Sequence, residues 1–219
     1  MILKNRIIFF GTPSFAVVCL KELLEQNFNI LAVVTTADKK AGRGKKLRSS
    51  EVKNFALQNG LNLFQPKNMK DHLFIEKIKL LKPDFIIVVA FRMIPKIIWE
   101  IPDIGTINLH ASLLPNYRGA APINWTIINN EKFTGVSTFF INEKIDSGDI
   151  LLQKRIEISE KETAGSLHDK LSLQGSKLLC ETINKLSKNK IEAKPQNFSY
   201  DVKLAPKINS ENSHINLKK

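Results

Sequence analysis

The sequence predicts an α/β protein whose open, mostly parallel sheet is flanked by helices. Short apolar runs alternate with segments of helical spacing along most of the chain, which is the pattern of successive β-α-β units. Residues 85–90 are apolar at every position, as expected of a parallel strand that is buried on both faces. The length of 219 residues suffices for one good-sized domain, or for one domain with an appendage.

The predicted strands are the short apolar runs, most of which are bounded by polar residues, glycine or proline. Residues 63–65 form the weakest of these runs, and Gly11 ends the first. In chain order, the strands are predicted at residues 6–10, 30–35, 63–65, 85–90, 106–110, 136–140 and 150–158.

The predicted helices are the segments with helical spacing between these runs. Pro13 suits the first turn of a helix, and Ser50 can cap another one. Gly60 and Pro83 each stop a helix. In chain order, the helices are predicted at residues 14–25, 51–58, 71–81, 121–128 and 163–188.

The last part of the chain differs in character from the rest. Residues 190–219 are polar, contain Pro195 and Pro206, and show no sustained hydrophobic period. We therefore predict a folded domain over residues 1–189, followed by a linker or tail over residues 190–219.

The charge balance is strongly basic, with 33 Lys and Arg against 21 Asp and Glu and a net charge of +12. Such a balance favours a nucleic-acid partner. The abundance of Lys, Asn and Ile also fits the codon bias of an AT-rich genome, so the local arrangement of charge is more informative than its sum. The densest cluster lies in residues 38–48, where six of eleven residues are basic and two are glycine. This cluster is either a loop that grips phosphates or a solvated lysine-rich loop.

Several features bear on the compartment of the protein. The longest apolar run, residues 85–91, is far shorter than the roughly 20 residues that span a bilayer. The apolar run near the N terminus is too short for a signal peptide. We therefore expect a cytoplasmic protein. Cys19 and Cys180 lie far apart in predicted helices, and two buried thiols are expected there, although the spacing leaves a disulfide open.

A polar pair marks the end of the predicted strand at residues 106–110. Residues two apart in a strand share a face, so Asn108 and His110 point one way, while Ile107 and Leu109 point the other way. Open α/β sheets bind their ligands at this end of the strands. An amide beside an imidazole suits a carbonyl that becomes a tetrahedral oxyanion, because Asn can hydrogen-bond the oxygen and His can move a proton. The alternative is a hydrogen-bonded structural histidine.

An acidic turn follows at residues 144–149. A catalytic role for Asp146 requires its carboxylate to reach His110 across the sheet edge and to hold the imidazole protonated or correctly oriented. Spacing alone leaves this open, because acidic turns between strands are common.

Other chemistries have weaker patterns. The turn after Gly11 lacks the second and third glycines of a dinucleotide-binding loop. A hydrolase pair of Ser112 and His110 lacks the Gly-x-Ser-x-Gly turn. No metal site is expected, because the histidines and cysteines lack metal-ligand spacing; the histidines are His72, His110, His168 and His214.

Five motifs together resemble methionyl-tRNA formyltransferases. The most specific is the run that begins at Asn108 and reads Asn-x-His-x-Ser-Leu-Leu-Pro-x-x-Arg-Gly-Ala-Ala-Pro-Ile-Asn-Trp. The other motifs are Gly-Thr-Pro-x-Phe-Ala from Gly11, Ala-Gly-Arg-Gly-Lys-Lys from Ala41, Ile-Asp-Ser-Gly from Ile145 and Ala-Pro-Lys-Ile from Ala205. They follow the order of the family and extend from about residue 6 to residue 215.

The resemblance implies a Rossmann-like formyltransferase domain that uses 10-formyltetrahydrofolate and no metal. The catalytic residues of the family fall on Asn108, His110 and Asp146. The folate-binding residues fall on Ser112, Leu113, Leu114, Pro115, Phe91 and Ile94. The basic loop that embraces the tRNA acceptor end falls on residues 36–49, with Arg43, Lys45 and Lys46 as its tRNA-binding residues. The family often has Tyr-Gly where Phe91 and Arg92 stand here.

The expected function is formyl transfer to the α-amine of initiator methionyl-tRNA, by a protein expected to be a monomer. Family members usually continue into a small β-barrel domain that adds RNA affinity, and the present sequence ends where that domain is expected to begin. One alternative is a formyltransferase that acts on a small amine, either glycinamide ribonucleotide or an amino-sugar nucleotide. Another alternative is a non-catalytic RNA-binding relative.

Overall fold

The computed structural model describes residues 4–41, 46–198 and 201–213. The strands in these ranges are β1 (Lys4–Gly11), β2 (Phe28–Val34), β3 (Lys39–Ala41), β4 (Lys46–Arg48), β5 (Leu63–Phe64), β6 (Phe85–Val89), β7 (Gly105–His110), β8 (Phe133–Phe140) and β9 (Ile150–Glu157). The helices are α1 (Ser14–Glu25), α2 (Glu51–Gln58), α3 (His72–Leu80), α4 (Lys96–Trp99), α5 (Pro122–Ile128) and α6 (Ala164–Leu186).

A seven-stranded sheet with the order β5-β2-β1-β6-β7-β8-β9 forms the centre of the fold. The first five strands in this order run parallel, and β8 and β9 are antiparallel to their neighbours. After β1 the chain extends the sheet to one side through β2 and β5, and it then crosses to the other side at β6. The predicted fold class, an open and mostly parallel sheet flanked by helices, is confirmed.

The sheet has a hydrophobic core on each face, because successive side chains of a strand point to opposite faces. Ile7 and Phe9 of β1 belong to the core that α1, α2 and α6 cover. Ile8 and Phe10 belong to the core that α3 and α4 cover. Every residue of β6 is buried, as the uninterrupted apolar run predicted. Cys19 and Cys180 are both buried and are not joined in a disulfide, which agrees with the two buried thiols expected from the sequence.

Local signals placed most helix ends correctly. The Ser50 side chain accepts a hydrogen bond from the Lys53 amide and so caps α2, while Gly60 has a left-handed φ of 63° just after that helix. Asp71 caps α3 in the same way through the Phe74 amide. The short helix α4 was not predicted, since four residues are too few to show a helical period.

Two segments differ from the sequence-based expectation. The basic segment predicted as a flexible loop contains an antiparallel pair of short strands, β3 and β4. Residues 190–198 and 201–213 of the polar tail contain no helix or strand but pack on the domain, since Lys194 forms a bridge with Ile150 and Ala205 is fully buried. The division into a domain over residues 1–189 and a linker or tail over 190–219 remains a prediction.

Candidate active site

A pocket of about 910 Å³ opens where the central parallel strands end. Pro13 follows β1, Ala90 and Phe91 follow β6, and His110 ends β7, and all four residues line it. The pocket therefore lies at the carboxyl edge of the sheet beside the β1–β6 crossover, where open α/β sheets bind ligands. Loop residues before α5 and between β8 and β9 complete its wall.

Asn108 and His110 both line this pocket, as their two-residue spacing predicted. Asn108 lies between Val88 of β6 and Phe139 of β8 in the sheet register. Within the described ranges its side chain has no hydrogen-bond partner. Among the described residues, the Asn108 amide is thus a donor and acceptor without a partner, beside the imidazole of His110.

The backbone of Tyr117 determines which ring nitrogen of His110 carries a proton. His110 is 7% exposed, and its Nε2 lies 2.8 Å from the Tyr117 carbonyl oxygen. A carbonyl oxygen can only accept, so Nε2–H donates this bond. In the neutral imidazole Nδ1 is therefore the unprotonated nitrogen, free to take up a proton.

Asp146 lies close to that free nitrogen. Its Oδ2 is 3.8 Å from His110 Nδ1, and the same oxygen accepts a hydrogen bond of 2.9 Å from the Gly119 amide. The side chains of Asp146 and His110 are only 12% and 8% exposed. The structure therefore brings Asp146 and His110 together across the sheet edge, at a distance just beyond a direct hydrogen bond.

The loop that carries Asp146 has an unusual backbone. Asp146 has a left-handed φ of 49°, which a non-glycine residue adopts only when its surroundings hold it there. The Ser147 hydroxyl bonds to Asn142 Oδ1 and the Lys144 carbonyl, both at 3.0 Å. A Cβ on Gly148 would lie 1.7 Å from the Phe140 carbonyl oxygen, so only glycine fits there. The Ile-Asp-Ser-Gly motif thus has a structural reason for each of its last three residues.

Phe91 and Ile94, two of the residues predicted to bind folate, contribute to an apolar wall of the pocket. Phe91 packs edge-on against Phe10, with ring centroids 5.5 Å apart. Arg92 donates to the Pro66 and Lys67 carbonyls at 2.6 and 3.3 Å, which ties this wall to the segment after β5.

The other four residues predicted to bind folate are not among those that line the pocket; they are Ser112, Leu113, Leu114 and Pro115. The Ser112 hydroxyl donates to the Asn116 carbonyl at 2.6 Å. Ser137 of β8 bonds to both the Ser112 carbonyl and the Leu114 amide. These hydrogen bonds join the segment to β8. Its assignment to folate binding stays a prediction.

The residues predicted to bind tRNA lie at the β3–β4 segment. Arg43 and Lys45 fall outside the described residues, and Lys46 begins β4. The base of this segment is anchored by Asp38, which accepts a bond of 2.6 Å from Lys53 Nζ. The hydrogen bond from Lys53 holds the pKa of the Asp38 carboxyl below its ordinary value.

His168 also lines the pocket, and sequence reasoning did not single it out. Its Nε2 lies 3.4 Å from Ser14 Oγ, and its Nδ1 lies 2.9 Å from Asp169 Oδ1. Its ring packs edge-on against Phe15, with centroids 5.5 Å apart. The helical period of α6 alone does not say which of its polar residues meets the pocket, so only the packing of α6 on α1 reveals this one.

The family model described as "Formyl transferase" matches residues 5–183. The chain belongs to the formyltransferase family. The methionyl-tRNA formyltransferase of Flavobacterium johnsoniae is 51% identical over 97% of this chain and 67% of its own length. That of Thermodesulfovibrio yellowstonii is 52% identical over 98% of this chain and 69% of its own length. These relatives extend beyond the length that this chain matches.

Solved structures agree with this assignment. The sugar 3N-formyl transferase WlaRD, determined in the presence of dTDP and 5-N-formyl-THF, has a TM-score of 0.71 at 25% identity and covers 100% of this chain and 75% of its own. The phosphoribosylglycinamide formyltransferase of Bacillus halodurans has a TM-score of 0.69 at 20% identity and covers 83% of this chain and 95% of its own. The second likeness shows a shared fold.

No group of three or more His, Cys, Asp or Glu side chains in the described ranges is placed to hold a metal ion. In the same ranges, no helix combines the length and the apolar character that crossing a membrane requires.

Proposed function

We propose that this protein transfers a formyl group from 10-formyltetrahydrofolate to the α-amine of initiator methionyl-tRNA in the cytoplasm. The observation that carries the proposal is the convergence of Asn108, His110 and Asp146 on one pocket, in a chain that is 51% and 52% identical to two methionyl-tRNA formyltransferases. The charged tRNA is the acceptor that these relatives' names specify.

The three side chains suit acyl transfer to an amine. The uncharged amine attacks the formyl carbon, and negative charge develops on the formyl oxygen. Asn108 has no competing protein partner in the described ranges and donates to that oxygen. Protonated His110 stabilises the same charge through Nδ1–H, since its Nε2–H is already donated to Tyr117. The Asp146 carboxylate, at 3.8 Å from Nδ1, lies where it can orient the imidazole.

The bonds and protons of the proposed reaction balance. The new bond joins the amine nitrogen to the formyl carbon, the bond from that carbon to N10 of the folate breaks, and one proton leaves the amine and one reaches N10. His110 and Asp146 lie where such a proton can be relayed.

The pocket fits a folate by size and by character. Its volume of about 910 Å³ falls within the range of roughly 300–1,000 Å³ that is typical of small-molecule sites. Phe91 and Ile94 provide an apolar surface for a flat ring system, next to the polar Asn108. We propose these residues as folate contacts, and Arg43, Lys45 and Lys46 as contacts to the tRNA phosphates.

The test is a formylation assay with purified protein, 10-formyltetrahydrofolate and charged initiator tRNA. Parallel reactions contain glycinamide ribonucleotide or an amino-sugar nucleotide as the acceptor. We expect formylmethionyl-tRNA as the product, and its release of formylmethionine on mild base hydrolysis identifies it. Formylation of a small amine but not of the tRNA would replace the proposed acceptor, and folate binding without any transfer would support a non-catalytic relative instead.

A further inference from the structure

The tail that follows α6 lies against the proposed active site on two sides. We define the strap as residues 194–198 together with residues 201–206. We infer that the strap is a positioning element for His110 and Asp146, and that Gln196 is its key positioning residue. This inference rests on the proposed function for its catalytic consequence, whereas the contacts themselves stand independently.

The first part of the strap holds the loop of Asp146. Gln196 is 9% exposed, and its Nε2 donates to two carbonyl oxygens, that of Asp146 at 3.0 Å and that of Gly148 at 2.8 Å. Lys194 and Ile150 exchange both backbone hydrogen bonds at 2.8 Å, which fixes the strap beside the start of β9. Both protons of the Gln196 amide are thus used to hold a loop whose left-handed Asp146 costs conformational energy.

The second part of the strap holds the loop that touches His110. Lys203 accepts a backbone bond of 2.6 Å from the Tyr117 amide, and Ala205 donates one of 2.8 Å to the Arg118 carbonyl. The Ala121 amide in turn donates to the Ala205 carbonyl at 3.1 Å. The Lys203 ammonium lies 2.6 Å from Glu131, whose carboxylate also accepts from the Tyr117 hydroxyl.

The backbone of residues 117–121 is therefore bonded along both of its edges. On one edge, the Tyr117 carbonyl accepts from His110 and the Gly119 amide donates to Asp146. On the other edge, the Tyr117 amide, the Arg118 carbonyl and the Ala121 amide pair with the strap. Gly119 has a φ of 123°, and a Cβ there would lie 2.5 Å from the Ala205 carbonyl oxygen, so the strap is in close contact with this loop.

Removal of the Gln196 amide should therefore displace Asp146 while the pocket itself keeps its shape. A misplacement of roughly 1 Å of a catalytic group can cost about 10²-fold in rate. We expect Gln196→Met, which keeps the side-chain volume but loses both donors, to lower kcat by about tenfold or more. The exposed neighbour Asn197 has no hydrogen bond in the described ranges, so Asn197→Ala is the matched control and should leave kcat within about twofold of the wild type.

The decisive measurement is a double-mutant cycle with Asp146→Asn. If Gln196 acts through Asp146, Gln196→Met should cost little further activity once Asp146→Asn has already lowered kcat. A loss of the same factor in both backgrounds would show a general structural role and would overturn the inference, as would a kcat for Gln196→Met equal to that of the Asn197 control.

A second measurement does not depend on turnover. Amide hydrogen exchange, followed by NMR, should show faster exchange of the Gly119 amide in Gln196→Met, because its acceptor Asp146 is no longer fixed. The Phe9 amide in the central strand should keep its wild-type rate, which controls for global destabilisation. An unchanged exchange rate of the Gly119 amide would overturn the positioning role. If the wild-type protein does not formylate tRNA, that result counts against the proposed function alone, and the exchange measurement still tests the positioning role.

Discussion

The Ser137 hydroxyl holds the segment that follows His110 against β8, and its replacement tests how much this support contributes to stability. Its hydroxyl is fully buried in β8 and forms three hydrogen bonds. It donates to the Ser112 carbonyl at 2.6 Å, and it accepts from the Leu114 amide at 3.1 Å and from Gln153 Nε2 at 2.8 Å. One donor and two acceptor positions are thus all occupied, which is the full capacity of a hydroxyl group.

The replacement Ser137→Ala removes all three bonds together. Gln153 keeps a second acceptor in the Leu114 carbonyl at 2.9 Å, so its loss is partial. The Leu114 amide and the Ser112 carbonyl lose the bonds that Ser137 provides. Since each of these two buried polar groups costs about 1–3 kcal/mol when left unsatisfied, the free energy of unfolding should fall by about 2–6 kcal/mol.

Urea denaturation followed by circular dichroism measures this change, with the free energy extrapolated to zero denaturant. Ser172→Ala is the matched control. Ser172 is also a buried serine, but among the described residues its hydroxyl bonds only to the Asp169 carbonyl within α6, so the change should cost about 1 kcal/mol or less. A Ser137→Ala loss below about 1 kcal/mol, or equal to that of Ser172→Ala, would refute the supporting role derived for this hydroxyl.

Three further predictions address the catalytic pair, the basic segment and a buried thiol. His110→Ala should fold normally and lose about 10²–10⁴-fold in kcat, and Asn108→Ala about 10²–10³-fold; formylation by His110→Ala within a few-fold of the wild type would contradict the mechanism. Replacement of the three proposed tRNA contacts by alanine (Arg43, Lys45 and Lys46) should weaken tRNA binding without a change in folate affinity. The slope of the logarithm of the tRNA affinity against the logarithm of the salt concentration should flatten by roughly 0.7–0.9 per lost contact. An unaltered slope would show that the segment is only solvated. Burial raises the pKa of the Cys19 thiol, so iodoacetamide at pH 8 should label it far more slowly in the native protein than in urea; equal labelling rates by mass spectrometry would show that α1 opens readily.

The sequence carried most of the information about the sheet and its helices. The short apolar run of β1, the uninterrupted apolar run of β6 and the cap Ser50 are local signals, and local signals survive in the fold when packing agrees with them. The short helix α4 and the pairing of β3 with β4 were missed, because three or four residues are too few to establish a period.

The same distinction applies to the proposed site. The strand period put Asn108 and His110 on one face, and the family motif suggested Asp146 as their partner. The strand period and the motif could not show that Asp146 Oδ2 lies 3.8 Å from His110 Nδ1, or that it accepts a hydrogen bond from the Gly119 amide. These contacts join segments that are distant along the chain.

The sequence by itself therefore determined the fold class, the family and the chemical identity of the three pocket side chains. The tertiary structure alone decided three other matters: Ser137 of β8 bonds to the segment after His110, the Tyr117 carbonyl selects the protonated nitrogen of His110, and the polar tail bonds to the loop of Asp146. The physical reason is that the first set depends on side-chain type and on periods within one element. The second set depends on backbone groups, which every residue carries in the same form and whose partners only the folded chain specifies.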